Sequence, residues 1–431
     1  MQYYSTNKQK KHVNLRHAVL RGLAEDGGLY MPETIPQLPS SFFDHLAESN
    51  FQEMAVKVAS AFFAEDLPAG VLKKIVDETL SFPVPLKKIS EGIFSLELFH
   101  GPTMAFKDVG ARFMSRLMSY FMQHDKRKLK VVVATSGDTG SAVAAGFYGV
   151  EGIDVYVLFP KGKVSPLQQK QITTWGKNIH ALEINGTFDD CQALSKKALN
   201  DPALKGEFLL TSANSINIAR LIPQSFYYFW GAAQLPGVLD PVFCVPSGNF
   251  GNLSAGIIAA QMGLKTERFI AATNINDVVP EYFRTQKYAP RPSLQTISNA
   301  MDVGDPSNYA RMMELLDHDH SKFSDALYAC AFTDESTRKT IHTVLKDHDY
   351  LLDPHGAIAY LGALEYHEKI NKQAQIVILE TAHPAKFPET LKIHLDRSGK
   401  LPPQLESVNN KKEKFISLEN NYKALFDVIA D

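Results

Sequence analysis

The segment Val131-Val132-Val133-Ala134-Thr135-Ser136-Gly137-Asp138-Thr139-Gly140-Ser141 passes from an unbroken apolar run into a turn of small, hydroxylated residues. The small-residue stretch Ala142, Ala144, Ala145 and Gly146 follows. A strand with no polar alternation is buried on both faces, as in a parallel sheet covered by helices. Working outward, similar runs occur at 94–99, 154–159, 208–212, 242–246, 268–273 and 376–381, most of them followed by a Gly-, Ser- or Thr-containing turn and a helical pattern. Repeated strand–turn–helix units place the chain in the α/β class. Ligands of such sheets sit beyond the carboxyl ends of the strands, so the turns there are where chemistry should be sought.

The first 92 residues read differently. Glu25-Asp26-Gly27-Gly28, followed by Pro32, Pro36 and Pro39, interrupts helical patterns, and 51–64 and 69–80 read as amphipathic helices. The organisation expected from the sequence is a mostly helical N-terminal region (1–92), an α/β lobe (93–235) and a second α/β lobe (236–431). The break falls near Leu235-Pro236-Gly237. The 431 residues contain 45 Lys+Arg against 47 Asp+Glu, a net charge of −2. That balance argues against a nucleic-acid or membrane-surface partner. Three widely spaced cysteines, no CxxC pair, no apolar leader and no run of 18 apolar residues point to a cytoplasmic protein without a disulfide framework or a metal site.

Four turns carry residues suited to chemistry. Lys107 follows His100-Gly101-Pro102-Thr103 at the start of a helix whose apolar face is Phe106, Val109, Phe113, Leu117 and Phe121. A helix N-terminus disfavours a cation, so an amine there is either a solvated partner of Asp108 or a residue set up for Schiff-base or general-base work. The turn Ser136–Ser141 can bind an anion through N–H and hydroxyl groups, or simply cap its helix. Ser247-Gly248-Asn249-Phe250-Gly251-Asn252 reads as a phosphate cradle or a positive-φ turn, and matches neither a Walker A nor a GxGxxG spacing. Asn214-Ser215-Ile216-Asn217 places Arg220 one turn into a helix, where it meets a held anion or lies at the surface. Lys161 and Lys163 flank Gly162 in a basic loop, and Thr381 ends the last apolar run. A lysine together with a separate phosphate cup is what pyridoxal phosphate requires.

In this order, Ala24–Glu33, Glu97–Asp108, Ala134–Gly140, Asn214–Asn217 and Pro246–Asn252 resemble the threonine synthases, members of the β-family (fold type II) of pyridoxal-phosphate enzymes. The resemblance implies two open, twisted α/β lobes with the cofactor between them. It implies Lys107 as the Schiff-base lysine beside Phe106, and Gly248, Asn249, Phe250, Gly251 and Asn252 as the cofactor-phosphate loop. Thr381 falls at the pyridine nitrogen and Asp138 near the 3′-oxygen, where many fold type II relatives carry Asn. Ser136 and Thr139 fall to the substrate carboxylate, and Asn214, Ser215 and Arg220 to the substrate phosphate; Lys161 and Lys163, read from their basic loop alone, are either solvated or meet the anionic substrate. The implied substrate is O-phospho-L-homoserine, converted with water to L-threonine and phosphate by a monomer or small homo-oligomer. Arg220 separates this expectation from a dehydratase, which needs no phosphate clamp.

Overall fold

The apolar run forms the strand Leu129–Ala134, paired on both sides in a five-stranded parallel sheet. A computed structural model describes residues 1–8, 11–391 and 401–431. The sheet order is Ile416–Glu419, Ile179–Asn185, Ile153–Pro160, Leu129–Ala134, Leu209–Ser212. Consecutive strands spread to one side of Leu129–Ala134, then Leu209–Ser212 is added on the other. Strand order therefore reverses between these two, and the turns Thr135–Ser141 and 213–217 open at that reversal.

This sheet belongs to a compact unit made of Met1–Glu33, Pro102–Arg220 and Ser398–Asp431. Its helices are α1 (Leu15–Arg21), α2 (Lys107–Met122), α3 (Asp138–Phe147) and α4 (Pro166–Thr173). Val109, Phe113 and Leu117 of α2 are buried as their spacing predicts, while Phe106 and Phe121 at its ends are half-buried. Asn14 caps α1, and Ser165 with Gln168 forms a capping box ahead of Pro166 on α4.

The second unit comprises Thr34–Gly101 and Leu221–Arg397. Its six-stranded sheet runs Leu327–Ala331, Phe269–Thr273, Val242–Pro246, Ile376–Glu380, Ile93–Glu97, Leu86–Ser90, parallel except for the last pair. The order reverses between Val242–Pro246 and Ile376–Glu380. Helices α5 (Gly251–Gln261) and α6 (Pro354–Lys369) belong to this unit, and Ile358, Ala359, Ala363 and Tyr366 of α6 join Val242, Cys244, Ile270, Ile376 and Ile378 in one apolar core.

Several expectations are corrected. Residues 1–92 are not mostly helical throughout: Gln2–Ser5, Val13–Asn14 and Tyr30–Pro32 form a small antiparallel sheet. These strands are two to four residues long and polar in part, too short to show alternation. Strand Ile179–Asn185 was hidden by His180 and Glu183, whose polarity breaks the apolar run. Glu183 accepts from Ser417 Oγ (2.9 Å) on the neighbouring strand. The compact units also cut across the consecutive blocks 1–92, 93–235 and 236–431. Residues 34–101 share a sheet with 376–380, and the chain end returns to the first unit, where Leu425 and Ile429 pack with Val132 and Leu182. Buried Lys130 anchors that return by donating to the Ile429 carbonyl.

Candidate active site

In the first unit the reversal point collects the polar turns. Thr135 Oγ1 accepts from Gly137 N (2.9 Å) and Gly140 N (2.8 Å), which folds the turn carrying Ser136, Asp138 and Thr139. Asp138 is the first residue of α3 and is buried. Ser165 N donates to Gln168 Oε1 (3.2 Å), so the other end of that amide, Nε2, is aimed at Asp138 Oδ1 (3.0 Å). Asp138 Oδ1 is therefore an acceptor.

Asn214 Nδ2 donates to the Ala134 carbonyl (2.8 Å), tying the turn after Leu209–Ser212 to the end of the neighbouring strand. Asn217 Oδ1 accepts from Ala219 N (3.0 Å) and starts the short helix Ile218–Leu221. Arg220 is thus inside that helix as expected, but it is 2% exposed rather than at the surface. Its guanidinium donates to the Ala213 carbonyl. Gly110, three residues beyond Lys107 on α2, permits this position: a Cβ there would stand 2.9 Å from the Arg220 carbonyl and 3.1 Å from its Nε.

Lys107 is the first residue of α2, half-buried, with Nζ 4.8 Å from the Phe106 ring centre. Asp108 is turned away into Thr103, accepting from its N (2.9 Å) and Oγ1 (2.6 Å). Gln171 Nε2 donates to the Thr103 carbonyl (3.0 Å), so α4 braces this turn as well as Asp138. Lys161 and Lys163 are exposed, just past Ile153–Pro160.

In the second unit, Ser247–Asn252 and Thr381 follow adjacent parallel strands at the reversal point. Phe250 has φ 58° and caps α5, whose first turn leaves N–H groups without intrahelical acceptors. Asn249 is pinned on both sides: Oδ1 accepts from Ser307 N (2.6 Å) and its carbonyl from Asn308 Nδ2 (3.0 Å). Buried Arg311 donates to Asn308 Oδ1 (2.8 Å). Tyr228 Oη donates toward Asn252, 2.8 Å from the carbonyl and 3.0 Å from Oδ1.

A family model described as pyridoxal-phosphate dependent enzyme matches residues 83–382. Those for the threonine synthase N terminus and C-terminal match 2–80 and 356–429. The chain is 42% identical over 427 residues to a threonine synthase of Haemophilus influenzae, covering 99% of this chain and 98% of that one. The chain belongs to the threonine synthase family. The crystal structure of threonine synthase from Escherichia coli matches with TM-score 0.93 and 38% identity, covering 100% of this chain and 99% of that one. A PLP-bound threonine synthase from Brucella melitensis gives 0.91 and 37%, covering 100% and 98%. The fold is the type II architecture of pyridoxal-phosphate enzymes.

The residues present fit that cofactor. Asn252 Nδ2, in the first turn of α5, is buried with no hydrogen-bond partner among the described residues. A buried amide donor is costly without an acceptor, and a phosphate oxygen supplies one. Thr381 is buried, and its hydroxyl makes no hydrogen bond among the described residues. Gly248 keeps the loop low: a Cβ there would lie 2.6 Å from Met301 Cα and 3.0 Å from the Ala300 carbonyl, and backbone cannot step aside cheaply. Gly248→Ala is expected to cost about 1–3 kcal/mol. It should also speed cofactor loss on dialysis, followed by visible absorbance and melting temperature. An unchanged melting point with full cofactor retention would contradict the tight packing.

Residues next to these escaped the sequence. Asp353 caps α6 by accepting from His355 N (2.9 Å) and Gly356 N (3.2 Å), and also takes His355 Nδ1 (2.5 Å). Its own N–H donates to Glu380 Oε1 (2.8 Å), directly before Thr381. Asp353-Pro354 is a legible helix start; nothing in the sequence reveals that Glu380 is wholly buried against it. Burial first, then the charge of Asp353, holds the Glu380 carboxyl well above the usual range, and burial pushes Asp302 beneath the Gly248 loop up to about 6.

Glu380 is thus neutral when folded and ionises when unfolded. Its contribution is fully present at low pH and is lost as pH rises from the ordinary carboxylate range through the raised value. Glu380→Gln keeps the acceptor for Asp353 N and cannot ionise. Its melting temperature relative to the parent should climb as pH rises above the ordinary carboxylate range. A pH-independent offset would show that Glu380 is charged in the fold.

Proposed function

We infer that the chain catalyses conversion of O-phospho-L-homoserine and water to L-threonine and phosphate, the last step of threonine biosynthesis, with pyridoxal 5′-phosphate. The near full-length identity to threonine synthases carries this reading. When bound, the cofactor supplies an electron sink for bonds at the substrate α-carbon.

The chain's own groups take the remaining roles. Lys107 would hold the cofactor, and its free amine is the base that takes the proton from the substrate α-carbon and returns one at the end. Gly248–Asn252 and the α5 N-terminus hold the cofactor phosphate, and the Thr381 hydroxyl addresses the pyridine nitrogen. A neutral hydroxyl there leaves that nitrogen without a carboxylate partner. Asp138, fixed by Gln168, would serve the cofactor's 3′-oxygen, while Ser136 and Thr139 orient the substrate carboxylate. Asn214, Ser215 and Arg220 grip the substrate phosphate, and the exposed loop lysines Lys161 and Lys163 are further candidates to meet it. A guanidinium placed where charge grows as phosphate leaves lowers that barrier. A proton also leaves the β-carbon as phosphate departs from the γ-carbon; the γ-carbon then gains a proton, and water adds its hydroxyl at the β-carbon while its proton goes to the released phosphate.

All three cysteines are free and buried, in keeping with a cytoplasmic setting. Among the described residues no helix is long and apolar enough to cross a membrane. The near-balanced charge speaks against a nucleic-acid partner, and the enzyme acts on its small-molecule substrate as a monomer or small homo-oligomer. Incubation with O-phospho-L-homoserine should yield threonine and phosphate in equal amounts. Release of 2-oxobutanoate without threonine would instead assign an eliminase.

A further inference from the structure

Helix α1 and the strand Leu209–Ser212 border a cavity of about 360 Å³ in the first unit, a size suited to a small ligand. Arg16, Arg21, Arg127 and Lys205 line it together with His17, and no Asp or Glu does. In a chain with slightly more acidic than basic residues, that one-sided lining is a local concentration of charge.

Two of the four cations are already answered from behind. Asp125 accepts from Arg16 Nη2 (2.8 Å) and Arg127 Nη2 (2.9 Å). The other two are not. Among the described residues Arg21 forms no ion pair, and the Lys205 ammonium donates only to Asn200 Oδ1, at 3.4 Å. Glu25 and Asp201 act on Lys205 from further off, and Asp201 is engaged by Tyr422 Oη (2.6 Å) and the amides of Ala203 and Leu204. Burial, then Arg21, pushes the Lys205 pKa down, and the same two causes lower that of His17. The two unanswered charges thus repel one another across a partly dry space. Leu20 and Phe208 give that space an apolar floor.

We infer that this cavity binds a phosphate ester with a small apolar body, and that its occupant acts on the turn bearing Arg220. The dianionic head matches Arg21 and Lys205, and guanidinium is suited to bidentate contact with phosphate oxygens. The link is short. The Val19 carbonyl on α1 accepts from Asn217 Nδ2 (2.9 Å) and from Thr211 Oγ1 (3.4 Å), directly beyond the cavity residues Leu209 and Leu210. Asn217 in turn starts the helix that carries Arg220. A ligand that shifts α1 therefore shifts the cap of that helix. This second half rests on the role proposed above for Arg220; the binding half does not.

The test uses the full-length enzyme with its cofactor and phenyl phosphate as probe, followed by calorimetry at low salt. Arg21→Gln/Lys205→Gln keeps the side-chain stems, and the single Lys205→Gln variant serves if the double one is poorly folded. Binding is expected to weaken about tenfold or more in the double variant, and several-fold in the single one. Saturating the parent should change KM for O-phospho-L-homoserine by about fivefold, a response the double variant lacks. Equal binding in parent and variants overturns the site. Inhibition that is simply competitive and identical in parent and variant places the probe at the substrate site and overturns it as well. Binding lost in the variant with an unresponsive parent KM overturns the coupling. If the chain turns over no O-phospho-L-homoserine, the functional reading fails while the calorimetric comparison still decides the cavity.

Discussion

Lys107→Ala should yield a folded, colourless protein whose threonine-forming turnover falls by about 10³-fold or more, since it removes the residue proposed for both cofactor attachment and proton transfer at the α-carbon. The fold should survive because Lys107 is the first residue of α2 and contributes nothing to the buried face made by Val109, Phe113 and Leu117. Alanine is also the best helix former, and removing a cation from a helix N-terminus relieves an unfavourable interaction. The melting temperature without cofactor should therefore stay level or rise slightly. The decisive measurements are the visible absorption band and the phosphate released from O-phospho-L-homoserine. A colourless variant that still releases phosphate at the parental rate would sink the mechanism.

The second large effect is expected at Arg220. Its guanidinium is buried, donates to the Ala213 carbonyl and packs against Gly110. Arg220→Ala leaves that carbonyl short of a donor and opens a void beside α2, which costs about 2–4 kcal/mol of stability. With the phosphate-gripping role proposed for Arg220, loss of its buried charge should lower kcat/KM by roughly 2–5 kcal/mol, with KM for O-phospho-L-homoserine raised. Cofactor absorbance should persist, since the phosphate loop and Thr381 are untouched. Arg220→Lys keeps the charge but not the planar fork, so its kcat/KM should fall between the two. If Arg220→Ala loses stability but keeps KM, Arg220 is a packing residue and the phosphate is held elsewhere.

Legibility in the sequence followed a physical rule. Unbroken apolar runs announce parallel strands because both faces are buried, and the glycine and hydroxyl turns after them announce their own geometry. The strands Leu129–Ala134 and Val242–Pro246 and the turns at 135–141 and 247–252 were readable for that reason. Strand Ile179–Asn185 was not, since the partner of Glu183 among the described residues is Ser417, far along the chain. Arg220 was read as a helix residue correctly, but its burial depends on the absence of a side chain at Gly110 on another helix. The short sheet of the N-terminus and the interleaving of the two units rest on pairings that leave no periodic trace.

By itself the sequence determined the fold class, the family and the order of the chemical turns, because each is encoded locally in hydrophobic pattern and turn chemistry. Only the tertiary structure decided what surrounds those turns. It set the amide of Gln168 on Asp138, the charge-bearing neighbours of Glu380 and the brace of Asn308 and Arg311 behind Asn249. It also gathered Arg21 and Lys205 into one cavity. Whether a buried polar group is tolerated, and in which protonation state, depends on partners brought from distant parts of the chain, and no local pattern records them.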